Sequence, residues 1–182
     1  MPAFVALLRA VNLGPHNKIA MADLKAAAAG AGLTAPRTLL QSGNLIFGAK
    51  AQASAALEKT LEAALAQELA LKTPVIVRSA SEWRAALDAN PFGKEAKSDP
   101  SHLLLMPLKA KVEKSALAEL VKAIPGREQV KLGAQVLYLV YPDGIGRSKL
   151  TAALIERKLG VAGTARNWNT AQKIAAMLEA AP

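Results

Sequence analysis

Residues 37–47 read RTLLQSGNLIF. Two short apolar runs, Arg37 to Gln41 and Leu45 to Phe47, flank Ser42-Gly43-Asn44, and a glycine beside an asparagine supplies the positive φ that a tight reversal needs. The segment is a β-hairpin, and its neighbours on both sides set the fold. Upstream, Ala3 to Arg9 (AFVALLR) is a short apolar run ending in an Asn/Gly/Pro loop from Asn12 to about Ala20, the pattern of a buried strand. A helix follows near Met21 to Ala31, with Met21, Leu24 and Ala28 on one face and Gly32 placed to stop it. Downstream, leucines 57, 61, 65 and 69 mark one buried stripe of a helix from Ser54 to about Ala70. Thr73 to Arg78 (TPVIVR) is then a strand, with Pro74 near its start, where a missing N–H is tolerated at an edge. The order is β-α-β-β-α-β, the ferredoxin-like unit.

The second half repeats it. A connecting helix opens with Ser79 and Glu82 at capping-box spacing and carries Trp83 and Leu87 on one face. Asn90 to Pro100, with two prolines and Gly93, reads as a linker. Beyond it come a strand (Leu103 to Leu108), a helix with Leu117, Leu120, Val121 and Ile124 in phase, and a strand pair (Glu128 to Leu132, Val136 to Tyr141) around Gly133. Pro142-Asp143-Gly144 is a turn. A helix from about Lys149 to Leu159 is expected to be N-capped by Ser148 and stopped by Gly160. A short strand near Thr164 to Asn167 precedes a last helix with Ile174, Met177 and Leu178 in phase. The expected fold class is therefore α+β: two tandem ferredoxin-like (βαββαβ) halves with antiparallel sheets and a C-terminal helix. The expected division is residues 1–79, a connecting helix and linker at 80–100, and residues 101–182. Phe4 to Leu8, Leu103 to Met106 and Val136 to Val140 are apolar on both faces, so the sheet face not covered by the helices must be buried by the other sheet or by a second subunit.

The chain has 182 residues, with 23 Lys+Arg against 14 Asp+Glu, a net charge of +9 and a sequence pI of about 9.9. Hydrophobic residues at 52% and charged residues at 20% exclude a disordered chain. With no cysteine there are no disulfides, thiolate metal sites or cysteine nucleophiles, and two histidines, His16 and His102, leave little for a metal centre. No metal or cofactor is expected. No run approaches the ~18 uninterrupted apolar residues of a membrane span, and the opening MPAFVALLRAVNLG, broken by Arg9, fails as a secretory signal. A soluble, cytoplasmic protein is expected.

Several segments together resemble a known family: LLRAVNLG at 7–14, Lys18 with Met21 and Leu24, RTLLQSGNLIF at 37–47, SKLTAALIERKLGV at 148–161 and TARNWNT at 164–170. They resemble the bacterial family termed domain of unknown function 1697, from Ala3 to beyond Thr170. The resemblance implies an α+β fold of two ferredoxin-like halves and brings no activity, cofactor or catalytic residue. The chain departs from the family's usual first loop, where Ala10 and Pro15-His16 replace a glycine and a Gly-Lys pair.

In this topology the end of the first strand, the start of the first helix and the tip of the first hairpin meet at one end of the sheet. Arg9, Asn12, Lys18, Gln41, Ser42 and Asn44 are thereby expected to converge beside a helix N-terminus suited to an anion. The plainer reading is that Ser42-Gly43-Asn44 is a turn, Asn12 braces a loop, and the cations are solvated. In the second half, Arg147, Ser148 and Lys149 are expected to meet Arg166, Asn167 and Trp168, where cations attract an anion and an indole could stack on a base. Structural roles compete here too: Ser148 as an N-cap, Asn169 with Gln172 as a capping box, Trp168 as core. Residues 144–182 carry six Lys+Arg and two Asp+Glu, a net of 6 − 2 = +4.

Ser148-Lys149 lacks Ser-x-x-Lys spacing, two isolated histidines make no Ser-His-Asp set, and there is no P-loop or GxGxxG. Glu58, Glu62, Asp88 and Glu119 read as solvated helix faces paired with lysines. His102 reads as ordinary, and His16, in the basic loop, as an anion contact when protonated. Phe4 and Phe47 do not supply the exposed aromatics of an RNA-recognition sheet. The leading expectation is binding of an anionic partner, nucleic acid or a phosphorylated small molecule, through the two basic clusters. The alternatives are an enzyme acting on a small phosphorylated or nucleotide-like substrate in the cleft between the halves, and a protein-interaction module that forms a homodimer.

Overall fold

Along the first half run β1 (Ala3–Leu8), α1 (Met21–Gly30), β2 (Thr34–Leu39), β3 (Asn44–Gly48), α2 (Ser54–Leu69) and β4 (Val75–Ser79). This is a computed structural model, and it describes residues 1–13 and 17–181. The expectation for His16 lies outside them. Then follow α3 (Ala80–Asp88), α4 (Gly93–Ser98), β5 (Leu103–Pro107), α5 (Lys114–Lys122), β6 (Gln129–Leu132), β7 (Val136–Val140), a single 3-10 turn at Ile145–Arg147, α6 (Ala152–Leu159), β8 (Arg166–Asn167) and α7 (Trp168–Glu179). The strands form two four-stranded antiparallel sheets, ordered β2-β3-β1-β4 and β6-β7-β5-β8. With seven α-helices among the described residues, the fold is mixed α+β.

The chain divides into two compact units, Met1–Arg84 together with the segment from Lys173 onward, and Ala85–Gln172. Within the first, the C-terminal segment is held by Arg37 Nη2 donating to the Met177 carbonyl at 2.8 Å and by an Arg84–Glu179 ion pair. Its core alternates along the strands. Phe4, Ala6 and Leu8 of β1, Leu45 and Phe47 of β3 and Val75 and Val77 of β4 pack with Leu24 and Ala28 of α1 and with Leu57, Leu61 and Leu65 of α2. The residues of the opposite face, Val5, Leu7, Ile46 and Ile76, are also fully buried. In the second unit Leu104, Met106, Leu137, Leu139, Leu120 and Ile155 make the helix-side core, and Leu103, Leu105, Val136, Tyr138 and Val140 on the other face are buried as well. The inner strands of both sheets are thus apolar and buried on both faces. Phe4 and Phe47 stack inside the first core with ring centroids 5.9 Å apart, unavailable to a nucleobase.

Several local expectations are corrected. The left-handed residues of the first hairpin are Leu40 (φ 59°) and Gly43 (φ 74°), while Asn44 is already in the strand. Gly43 has a second reason to be glycine: a Cβ there would lie 2.6 Å from Val11 Cγ2 and 2.8 Å from Leu8 Cβ. The Asn90–Pro100 linker contains α4, and Asn90 Oδ1 accepts the Phe92 N–H just before it. The N-cap of α6 is Thr151, whose hydroxyl accepts from Leu154 N–H, because Ser148 is drawn off to receive Leu150 N–H and to donate to Glu128. Asn167, not Asn169, caps α7, accepting Thr170 N–H at 2.9 Å. Val121 is largely solvent-exposed on α5. The Ser79/Glu82 capping box forms in both directions: Ser79 N–H to Glu82 Oε2 at 2.7 Å and Glu82 N–H to Ser79 Oγ at 3.2 Å.

The largest correction concerns the carboxylates of α2. Glu58 is buried and Glu62 half-buried, and both serve strand β4 at the sheet margin. Val75 N–H donates to Glu62 Oε1 (2.9 Å), Val77 N–H to Glu58 Oε1 (3.0 Å) and Ser79 N–H to Glu82 Oε2. Alternate N–H groups that a lone edge strand would leave open thus each meet a carboxylate. Arg78, whose guanidinium burial pushes down from its ordinary value, lies 3.8 Å from Glu58 Oε1 and balances its charge.

Candidate functional site

At one end of the first sheet, β1, the hairpin tip and the approach to α1 do converge. Leu8 N–H donates to the Gly43 carbonyl, and Arg9 N–H to the Pro74 carbonyl. Asn12, itself left-handed (φ 55°), is the clasp: its Nδ2 donates to the Gln41 carbonyl (2.7 Å) and the Ile19 carbonyl (3.1 Å), and its Oδ1 accepts Ile19 N–H (2.9 Å). Asn44 is fully buried, with Nδ2 given to the Leu39 carbonyl at 2.8 Å and to Ser42 Oγ at 3.0 Å. The amides of this cluster are therefore engaged with backbone. Arg9 is half-buried at the rim, its carbonyl accepting from Thr73 Oγ1, and Lys18 and Gln41 are exposed. Asn12, Lys18, Ile19 and Ala20 line an open hollow of about 350 Å³. Asp23 already occupies the first turn of α1, so the positive end of that helix faces a carboxylate of its own.

The second unit builds a different kind of place. Where β7 ends, Tyr141 and the turn Asp143–Gly144 lead through the 3-10 turn to Arg147, Ser148 and Lys149; across from them, the loop Pro125–Glu128 enters β6. These segments enclose an open cavity of about 270 Å³, lined by three cations (Arg127, Arg147, Lys149) and two carboxylates (Glu128, Asp143). Asp143 is paired with Arg127, a bond that holds its carboxyl below the ordinary range, with the charges of Arg127 and Arg147 adding to the effect. Glu128 accepts the Ser148 hydroxyl, and its Oε2 is buried with no partner among the described residues. Tyr141 forms the floor. Burial, with the Glu128 charge behind it, pushes its hydroxyl up to about 12, and that hydroxyl donates to the Leu150 carbonyl at 3.0 Å. Arg147 and Lys149 are exposed and make no ion pair among the described residues.

Arg166, Asn167 and Trp168 do not line this cavity. Arg166 is buried, its Nη1 donating to Thr164 Oγ1 (2.8 Å) and the Ala165 carbonyl (2.9 Å), and desolvation pushes its guanidinium down to about 10, still charged at neutral pH. Asn167 is occupied as a helix cap, and Trp168 is buried, with its main-chain N–H donating to the Pro100 carbonyl. Sequence reasoning missed Arg127, Glu128, Tyr141 and Asp143 as wall residues. The signals available were Gly126-Arg127-Glu128 ahead of a strand and Asp143 within Pro142-Asp143-Gly144, both legible only as turns. It also missed the partner of His102: Nδ1 lies 2.7 Å from Asp99 Oδ2, across an Asp-x-x-His spacing.

Among the described residues no group of three or more His, Asp or Glu side chains could hold a metal ion, and no helix is long and apolar enough to cross a membrane. Among functionally curated proteins none matches the chain. Its fold is similar to that of a solved structure described as the conserved bacterial protein SP0830 from Streptococcus pneumoniae. That likeness has a TM-score of 0.76 at 20% identity over 97% of this chain and 98% of that one, and it speaks to the fold alone. The family model described as protein of unknown function, DUF1697, matches residues 1–138, leaving the 148–161 and 164–170 segments beyond it. With three quarters of its length so matched, the chain belongs to the DUF1697 family.

Proposed function

We propose that the protein is a cytoplasmic pair of tandem ferredoxin-like halves, the second of which binds a small phosphorylated or similarly anionic ligand in the cavity between Pro125–Glu128 and Tyr141–Lys149. The order of elements and the strand orders β2-β3-β1-β4 and β6-β7-β5-β8 support the tandem reading. The observation that carries the ligand reading is the state of the cations. Asp143 is paired with Arg127, which leaves Arg147, whose charge acts on Asp143 from a distance, and Lys149 exposed on a concave wall with no ion pair among the described residues. Cations held on a concave surface attract an anion more strongly than the same charges dispersed over a convex one.

A small ligand fits better than nucleic acid. Trp168, Phe4 and Phe47, the aromatics available for base stacking, are all buried. The enzymatic alternative, chemistry on a small phosphorylated or nucleotide-like substrate, has one observation in its favour: the Ser148 hydroxyl donates to the Glu128 carboxylate on the same wall, as a nucleophile does to its base.

The test is calorimetric titration of the protein with inorganic sulfate, the wild type against R147Q/K149Q. Affinity is expected to fall about tenfold or more in the double variant, the scale of losing charge-assisted hydrogen bonds. Equal affinity in the two proteins, or no binding by the wild type, overturns the reading. Retention of labelled RNA or DNA with a steep negative salt slope would instead move the function to a polymer.

A further inference from the structure

We propose that His102, held by Asp99, is part of this anion site and takes up a proton as the anion binds; the inference rests on the ligand reading of the 125–149 cavity. His102 Nδ1 lies 2.7 Å from Asp99 Oδ2, and Asp99 Oδ1 in turn accepts the Ser101 hydroxyl at 3.1 Å. An ionised carboxylate can only accept, so Nδ1 carries a hydrogen whether the ring is neutral or charged. The hydrogen bond to His102 is the chief reason that the Asp99 carboxyl sits below its ordinary value.

The other ring nitrogen is turned to Gly144. A Cβ placed on Gly144 would lie 3.6 Å from Nε2, and Gly144, in a left-handed conformation (φ 82°), is itself on the cavity wall beside Arg147. Nε2 makes no hydrogen bond among the described residues, and the side chain is 40% exposed. The backbone fixes the placement: Tyr141 N–H donates to the His102 carbonyl and His102 N–H to the Asp99 carbonyl. The charged groups on the segments packed against this histidine are Asp99 on its own turn, Asp143 and Arg147 on the loop that includes Gly144, and the buried Arg166 on β8.

The consequence follows from the tautomer. With Nδ1–H committed to Asp99, a neutral ring keeps a lone pair on Nε2 beside Gly144, one residue of the cavity wall, and that lone pair opposes an anion held there. A protonated ring offers an N–H donor and a positive charge in its place. The anion therefore selects the protonated ring, and at a pH where the ring is otherwise neutral each anion bound draws one proton from solvent onto Nε2.

Sulfate is the probe because its charge is constant between pH 5.5 and 8. Calorimetry in two buffers of different ionisation enthalpy gives both affinity and protons taken up. The wild type is expected to bind sulfate about tenfold more tightly at pH 5.5 than at pH 8, the scale of one added charge several ångströms away in a half-solvated site. Proton uptake should accompany binding at the intermediate pH. His102→Gln removes both the pH dependence and the uptake while sulfate still binds, and His16→Gln, which removes the chain's other imidazole, preserves both. Asp99→Asn weakens binding at pH 5.5 and leaves that at pH 8 unchanged. In nuclear magnetic resonance spectra the His102 ring protons, not those of His16, shift on sulfate addition. Sulfate binding of equal strength at both pH values, or a pH dependence that survives His102→Gln, overturns the proposal while leaving the anion site standing. Absence of sulfate binding at every pH overturns both.

Discussion

The polar end of the first unit and the charged end of the second are each assembled from loops that a four-stranded sheet delivers to one place, yet they are chemically unlike. In the first, Asn12 and Asn44 turn their amides onto main-chain carbonyls, Arg9 is tied through its own main chain to Pro74 and Thr73, and Lys18 is exposed. In the second, the side chains that hold the loops together are charged, and their pairing leaves a surplus: Asp143 engages Arg127, while Arg147 and Lys149 face solvent. Topology decides which residues meet. Whether the meeting point is mortar or a binding site depends on whether the polar atoms are consumed by backbone.

The comparison breaks most readily at Gly43. Gly43→Ala forces a Cβ against Val11 and Leu8 in a left-handed backbone, and a loss of about 2–5 kcal/mol is expected in denaturant unfolding, with sulfate binding unchanged in whatever fraction remains folded. Next is Asn44→Ala, which removes a buried amide and leaves the half-buried Leu39 carbonyl without that donor; about 1–3 kcal/mol is expected by the same measurement. If either variant weakened sulfate binding in the folded protein, the two ends would not be independent in function.

The second unit gives a pH test of comparable size. The Tyr141 hydroxyl, ordinarily ionising near 10, is held up at about 12 in the folded protein. Between those values the unfolded chain has released a proton that the folded chain retains. The contribution is thus fully present below pH 10 and is lost as the pH rises toward 12, so stability must fall across that window. Unfolding curves from pH 9 to 12 check this, and Tyr141→Phe should flatten the slope. Smaller still is Arg166→Met, where a buried guanidinium gives way to an apolar chain of similar length; a change within about 1 kcal/mol and unaltered sulfate affinity are expected. The smallest stability effect belongs to R147Q, within about 0.5 kcal/mol as for other exposed positions, although its effect on binding is the larger one.

Much of the scaffold was legible because it follows period and punctuation. The 37–47 hairpin, the leucine stripe of α2 and the Ser79/Glu82 box each rest on interactions a few residues apart. What escaped depends on choices between near-equivalent local partners or on distant ones. Ser-Lys-Leu-Thr at 148–151 offers two N-caps, and only Glu128, twenty residues away, draws Ser148 aside and leaves the helix to Thr151. Glu58 and Glu62 are spaced like any solvated helix face, and nothing in α2 itself announces that β4 needs acceptors. The cavity was half legible. Arg147 and Lys149 were marked by charge, whereas Arg127 and Asp143 looked like turn residues, and Arg166 and Trp168, conspicuous in sequence, were claimed by the interior.

The margin formed by β4 ends in three glutamates where another protein would lay down a further strand. Because those acceptors belong to side chains, the boundary of the sheet is written in residues that a point mutation can erase, and Glu58→Ala with Glu62→Ala turns an intramolecular terminus into a template on which further copies can grow.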